Sequence, residues 1–282
     1  MSWLEALILG IVQGLAEYLP ISSSGHLEIC RQLLGVDLSG SASLEFDVML
    51  HVATVLSTIV VLWREFLPLC VSFFTFRRDD NFYYVCKILI SCIPIGIVGL
   101  CFKEVIEKLF DGNLTVVGGC LCATACLISF AYFFRTSPLQ KSTPMDPAYK
   151  PREIGWLDAF IIGCAQALAV LPGLSRSGTT IATGILIGDR RESVAKFSFF
   201  MVIIPILGEA LLDVKKIIAP SANAVAGAAS GTVELIPMLV GFVAAFLVGC
   251  AACRWMLEIV KRGRMIWFAV YCLIVGIFCI LY

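Results

Sequence analysis

Two stretches of this chain hold the residue types that phosphate chemistry calls for. One is Pro20-Ile21-Ser22-Ser23-Ser24-Gly25-His26; the other is Pro172-Gly173-Leu174-Ser175-Arg176-Ser177-Gly178-Thr179-Thr180. Each is a run of hydroxyls and glycine at the expected start of a helix. Such a start presents free N–H donors and a positive dipole end, which together bind phosphate-like anions. Serine hydroxyls add donors, and the Arg176 guanidinium adds a fork matched to phosphate oxygens. One Ser or Thr is enough to cap a helix, whereas these runs offer several each. Two cradles that face one another point to a diphosphate.

An internal repeat ties the two stretches together. At an offset of 153 residues Trp3–His26 aligns without gaps on Trp156–Thr179, with 11 identities in 24 positions, several of them Trp, Gly, Gln or Ser. Three motif positions differ in chemical kind: Glu17 against Val170, Ser23 against Arg176, and His26 against Thr179. If the two tips meet, carboxylate, imidazole and guanidinium converge on one point. Ionisable groups inside a membrane are costly and functional by default, although Glu17 and Arg176 could also form a plain buried ion pair. Asp47 and His51, four apart, share a helix face, and a supporting role at the site weighs evenly there against interhelical bonding. Glu5 and Asp158 sit at equivalent helix starts, where capping is expected.

The elements that must position these groups follow from composition. Of 282 residues 59% are hydrophobic and 15% charged, with mean hydropathy +0.93. Soluble domains run at roughly 45–50% apolar and about 25% charged, so a cytosolic globular enzyme is excluded. Lys plus Arg equals Asp plus Glu at 21 each, so no net field recruits nucleic acid. The 13 cysteines lie mostly in apolar runs and read as small hydrophobes, the Cys250/Cys253 pair included.

Runs long enough to span are Leu44–Trp63, Phe82–Cys101, Leu114–Phe134, Val194–Leu212, Leu235–Cys253 and Met265–Tyr282. Trp3–Leu19 and Trp156–Leu171 are shorter and run into the polar stretches Pro20–Gly35 and Pro172–Gly188, which reads as two re-entrant hairpins. Trp3–Leu19 lacks a basic flank and a small-residue cleavage site, so it belongs to the mature fold. The expected architecture is an all-α polytopic membrane protein with an inverted-topology repeat, each half a re-entrant hairpin plus three transmembrane helices. Residues 1–134 form the first repeat, 135–153 a cytoplasmic linker, and 154–282 the second repeat.

That layout assigns 13 basic residues to one face: Arg64, Arg77, Arg78, Arg135, Lys141, Lys150, Arg152, Arg190, Arg191, Arg254, Lys261, Arg262 and Arg264. The other face receives five: Arg31, Lys103, Lys108, Lys215 and Lys216. The positive-inside rule puts the first face in the cytoplasm and both termini outside.

The motif Gln13-Gly14-x-x-Glu17-x-x-Pro20-Ile21-Ser22-Ser23-Ser24-Gly25-His26 and its partner Pro172-Gly173-x-Ser175-Arg176-Ser177-Gly178-x-Thr180 resemble the two signatures of the undecaprenyl-diphosphate phosphatases, the bacitracin-resistance (BacA/UppP) family. Phe46-Asp47-x-x-x-His51 and the stretch from Phe197-Ser198-Phe199 to Pro205 resemble that family too. The resemblance implies hydrolysis of a polyprenyl diphosphate lipid at the outer face of the bacterial plasma membrane, which recycles the carrier for cell-wall synthesis and gives bacitracin resistance. By matching position it implicates Glu17, Ser23, His26 and Arg176 in catalysis, with Ser22, Ser24, Gly25, Ser175, Ser177, Gly178 and Thr180 on the phosphates and Gln13 in support. It also implies a divalent cation, Mg²⁺ or Ca²⁺, with Glu17 as a ligand.

On this reading Arg176 clamps the phosphate and stabilises transition-state charge. Glu17 holds the metal or acts as general base, and His26 is nucleophile or acid/base. Ser23 is a hydrogen-bond donor or an alternative nucleophile. Oligomeric state, a homodimer included, is left open. Inverted repeats and broken helices equally describe a transporter or flippase for a polyprenyl phosphate or another anion, which is the rival reading.

Overall fold

The computed structural model describes residues 1–36, 41–101, 114–136, 152–218 and 234–282. Among these the chain is helical throughout: α1 (Trp3–Ala16), α2 (Ser23–Leu34), α3 (Ser41–Val61), α4 (Trp63–Phe74), α5 (Asp80–Cys101), α6 (Leu114–Thr136), α7 (Trp156–Leu168), α8 (Arg176–Ile187), α9 (Arg191–Met201), α10 (Ile203–Ile218), α11 (Leu235–Lys261) and α12 (Ile266–Leu281). The linker read at 135–153 falls almost wholly outside the described residues, as do Lys103, Lys108, Lys141 and Lys150. The side chains of Arg135, Lys215 and Lys216 lie outside them as well.

Both repeated stretches fold as helix–turn–helix hairpins, α1–α2 and α7–α8, with equivalent punctuation. Ser2 caps α1 in a box with Glu5, and Asp158 accepts the Gly155 N–H at 2.8 Å at the start of α7. Gly35 and Gly188 end α2 and α8 in the left-handed region, at φ 64° and 118°, where a residue with a Cβ is disfavoured.

Among the described residues three helices are long and apolar enough to cross a membrane: α5, α6 and α11. α3 and α4 form a fourth candidate bent by 93°. α1, α7 and α12 have 14, 13 and 16 residues, which at about 1.5 Å each fall short of the roughly 30 Å hydrocarbon layer.

The sequence-based spans need three corrections. Leu44–Trp63 ends at Val61, and the following stretch is a separate helix, α4, that the hydropathy pattern did not reveal. Met265–Tyr282 is a 16-residue helix rather than a full-length span. Val194–Leu212 is not continuous: it breaks at Val202 between α9 and α10. Pro205 has no N–H for the Met201 carbonyl and sits in the first turn of the new helix, where proline is best accommodated. The freed Met201 carbonyl accepts the Cys92 thiol at 3.6 Å instead.

Packing exchanges partners between the halves. α1 lies along α11, α7 lies along α5, and α6 lies along α12. The seams are made of small residues, which let backbones approach closely where the hydrophobic effect gives helices no reason to associate. A Cβ on Gly10 would come within 2.4 Å of the Gly241 carbonyl and 2.9 Å of Ala244. One on Gly163, the repeat equivalent of Gly10, would come within 2.3 Å of the Ser91 carbonyl. Ser91 and Ala244 are themselves 153 residues apart, so each hairpin meets the same position of the other half.

One end of the bundle gathers charge. Arg152 pairs with Asp158 at 2.5 Å and with Asp189 at 3.4 Å, Arg190 with Glu153 at 3.3 Å, and Lys196 with Glu65 and Glu192 at 3.1 and 3.2 Å. Burial, then the neighbouring Asp158 charge, pushes the Asp189 carboxyl up from 3.8 to about 6. The folded chain therefore holds this proton more tightly than the unfolded one. Its contribution to stability is present below pH 4 and is lost as pH rises through about 6. Asp189→Asn is expected to flatten the pH dependence of thermal unfolding in micelles across that window, and an unchanged slope would contradict the assignment. Gly163→Leu is expected to cost at least about 1–3 kcal/mol by overpacking, read as a lower melting temperature.

Candidate active site

Glu17 follows the last turn of α1, with its N–H bonded to the Gln13 carbonyl at 3.0 Å. Its carboxylate is only 7% exposed and is fully engaged. Oε1 accepts from Arg176 Nη2, which arrives from the start of α8 on the other hairpin. Oε2 accepts from Ser23 Oγ at 2.8 Å and from Gln13 Nε2 at 3.0 Å. His51 Nε2 lies 3.8 Å from the same oxygen. Acid, guanidinium and hydroxyl thus converge from both repeats, whereas the imidazole expected with them from His26 does not.

The surrounding hydroxyls hold the two tips in place. Ser22 and Ser175 are the N-caps of α2 and α8, accepting from Gly25 N–H at 3.4 Å and Gly178 N–H at 3.0 Å. Ser177 Oγ donates to the Leu19 carbonyl at 3.0 Å and so joins hairpin to hairpin. The Ser175 N–H donates to Thr124 Oγ on α6 at 3.0 Å. Thr180 donates to the Arg176 carbonyl at 2.8 Å and lies 2.7 Å from Ser198 Oγ. The Ser198 carbonyl in turn accepts Arg176 Nη1 at 3.4 Å. Ser24 remains half-buried, 3.4 Å from Ser22 Oγ. The stretch Phe197–Phe199 therefore acts as a backstop for the guanidinium.

Tyr18, which the sequence reading did not single out, anchors the first turn. Its buried hydroxyl donates to the Thr54 carbonyl at 2.6 Å and touches Ser57 Oγ at 2.5 Å and Thr58 Oγ at 2.8 Å, while its ring meets Phe199 edge-on at 5.2 Å. Glu17, Tyr18, Thr58, Arg176, Phe199 and Val202 bound one small pocket. The only sequence signal for Tyr18 is its place beside Glu17.

His26 is not turned toward this pair. Its Nδ1 lies 2.8 Å from the Ser22 carbonyl and its Nε2 lies 2.8 Å from the Tyr271 hydroxyl, with the two rings stacked at 5.5 Å. His51 is the histidine beside Glu17, its Nδ1 held by the Asp47 carbonyl at 2.7 Å, and the Asp47 carboxylate pairs with Arg31. At the equivalent place in the second hairpin, Gln166 repeats Gln13 but faces no carboxylate. It is fully buried, and among the described residues neither its oxygen nor its nitrogen has a partner.

A cage for Mg²⁺ or Ca²⁺ needs several oxygen ligands. Both Glu17 oxygens are taken, and among the described residues no three His, Cys, Asp or Glu side chains cluster. This donor set does not build a cation cage from carboxylate, imidazole and thiol side chains alone.

The fold and site define a multi-pass membrane protein in which two homologous hairpins close an acid–guanidinium centre. A family model described as bacitracin resistance protein BacA matches residues 6–278. The chain is 52% identical over 277 residues to an undecaprenyl-diphosphatase of Bacteroides fragilis, covering 98% of this chain and 97% of that protein. It is 40% identical over 282 residues to one of Christiangramia forsetii, covering 100% and 98%, and 36% identical over 296 residues to one of Methanobrevibacter smithii, covering 98% and 96%. The chain belongs to the bacitracin-resistance BacA family.

Ser177→Ala and Tyr18→Phe each remove one buried hydroxyl that ties a tip in place. Each is expected to cost about 1–2 kcal/mol, measured by unfolding in micelles.

Proposed function

We propose that this protein hydrolyses undecaprenyl diphosphate to undecaprenyl phosphate and inorganic phosphate. The observation that carries the reading is the Glu17–Arg176 pair with Ser23 on the same carboxylate, in a chain of this family. Without substrate, Arg176 is neutralised by Glu17. A terminal phosphate reaching the pocket competes for the guanidinium, whose fork can hold two of its oxygens. The first-turn N–H groups of α2, at Ser23 and Ser24, add donors and a positive dipole end. Ser22, Ser175, Ser177, Gly178 and Thr180 build the walls of this cradle.

Glu17 is then free to take the proton of the Ser23 hydroxyl. Ser23 Oγ attacks the terminal phosphorus, the bond to the bridging oxygen breaks, and the lipid monophosphate leaves. Its second pKa near 6 makes it a good leaving group without full protonation. Glu17 passes that proton to the departing lipid monophosphate, which restores its carboxylate. A water then attacks the phosphoserine as Glu17 takes its proton and hands it to the leaving Ser23 Oγ, so both side chains end as they began. Arg176 stabilises the charge on the equatorial oxygens in both steps. His51, beside Glu17, tunes the carboxylate. Dependence on Mg²⁺ or Ca²⁺ rests on the family resemblance alone, and no step here passes through a metal.

The reciprocal packing of α1 on α11 and of α7 on α5 supports the inverted-topology repeat. The gathering of Arg152, Arg190, Lys196 and their partners at one end supports a cytoplasmic face there, with the termini and the reaction at the outer leaflet of a bacterial plasma membrane. Bacitracin resistance is carried over from the description of the matching family. The same packing suits a transporter, and phosphate release separates the two.

Purified protein in detergent, where no compartments exist, is expected to release phosphate from C55 and C15 diphosphates; a transporter would release none. Arg176→Ala is expected to lower turnover by about 10³-fold or more, and wild-type rates in that variant would place the site elsewhere. Ser23→Ala is expected to abolish a phosphoserine trapped by acid quench.

A further inference from the structure

The two ring nitrogens of His26 are both committed, and the commitments are asymmetric. A carbonyl only accepts, so Nδ1, 2.8 Å from the Ser22 carbonyl, carries the proton. In the neutral ring Nε2 is then the acceptor, and the Tyr271 hydroxyl at 2.8 Å is its donor. The imidazole, 9% exposed, stacks on the Tyr271 ring with an interplanar angle of 17°.

What this fixed ring holds is the corner that precedes Ser23. Ser22 sits at φ 70°, a region that side chains with a Cβ rarely adopt and that persists only when its surroundings enforce it. Four contacts do so. The Ser22 hydroxyl accepts the Gly25 N–H at 3.4 Å, its carbonyl accepts both the His26 backbone N–H at 3.2 Å and His26 Nδ1–H, and the next residue along α12, Cys272, donates its thiol to the Pro20 carbonyl at 3.4 Å. α12 therefore grips the corner at both ends, through Tyr271 and His26 on one side and through Cys272 on the other.

We propose that His26 and Tyr271 are a positioning pair: the chain from Tyr271 O–H to His26 Nε2, and from Nδ1–H to the Ser22 carbonyl, holds the strained corner that aims the Ser23 hydroxyl at Glu17. His26 then acts through Ser22 rather than on phosphorus. The kinetic part of this inference rests on the phosphatase reading; the tautomer does not.

The test has two arms. The first is ¹⁵N NMR of histidine-labelled protein in micelles, where the chain's two histidines give two imidazole signals and His26→Gln identifies one. That signal is expected to report a fixed Nδ1–H tautomer, and Tyr271→Phe, which keeps the stacking ring, is expected to move it. A protonated Nε2 in the neutral ring, or no change in Tyr271→Phe, overturns the pair.

The second arm is steady-state hydrolysis of C15 diphosphate. Tyr271→Phe is expected to lower kcat roughly tenfold, as small misplacements of reacting groups do, with KM little changed. His26→Gln, whose amide can still donate to the Ser22 carbonyl and accept from Tyr271, is expected to retain far more activity than His26→Ala and to keep the wild-type pH profile of kcat/KM. If His26→Gln falls as low as Arg176→Ala, or loses a limb of the profile, the imidazole transfers protons or attacks, and the positioning role is overturned. If the wild-type protein releases no phosphate, the functional reading fails while the NMR arm still decides the tautomer.

Discussion

A carboxylate and a guanidinium buried inside a membrane protein must find each other. Leaving either alone in low dielectric costs several kcal/mol, and a paired charge tolerates burial only when its remaining lone pairs and protons are also met. Glu17 and Arg176 satisfy this across the two hairpins, and neighbouring features serve to keep them there. Ser177 binds one tip to the other through the Leu19 carbonyl, Thr180 and Ser198 back the guanidinium, and Ser23 with Gln13 completes the shell around the carboxylate. A pair so neatly satisfied is stable but also poised, since an incoming phosphate offers Arg176 a better-matched partner and leaves Glu17 a free base.

The repeat explains how one fold supplies both halves of that pair. Gly10 and Gly163 occupy the same repeat position because each must let its helix press onto the other half, against Gly241 and Ala244 in one case and Ser91 in the other. The duplicated scaffold is thus conserved in its seams, while chemistry diverges at the tips. Gln166 marks the divergence: it keeps the place of Gln13 where Val170 stands in place of the carboxylate, and among the described residues it is left without a partner.

Much of this was legible in the sequence, for a physical reason. In a chain this apolar, polar residues stand out, and comparing the repeats position by position isolates the three that differ. The hairpins and the meeting of Glu17 with Arg176 follow from that comparison. The break at Val202 was not read because hydropathy is blind to backbone donors, and Pro205 acts by lacking one. Helix α4 was missed because it has only 12 residues and carries Pro68 in its interior, so it stands out neither as a span nor as an uninterrupted helix. The placing of His51 beside Glu17, and of His26 beside Tyr271, depends on helix rotation and on contacts 34 and 245 residues apart, which no local pattern carries. Most of the hydroxyls that read as phosphate donors serve as caps and ties, because buried helix starts and carbonyls claim them first.

The measurement that bears most directly on this picture is the coupling between residues 17 and 176. Unfolding free energies in micelles for the wild type, Glu17→Gln, Arg176→Met and the double variant close a cycle. Removing either partner alone is expected to cost roughly 3–5 kcal/mol, because the other charge is stranded, while the double variant should lose no more than the worse single one. Additive losses, to within about 0.5 kcal/mol, would mean that the two hairpins do not meet at this pair.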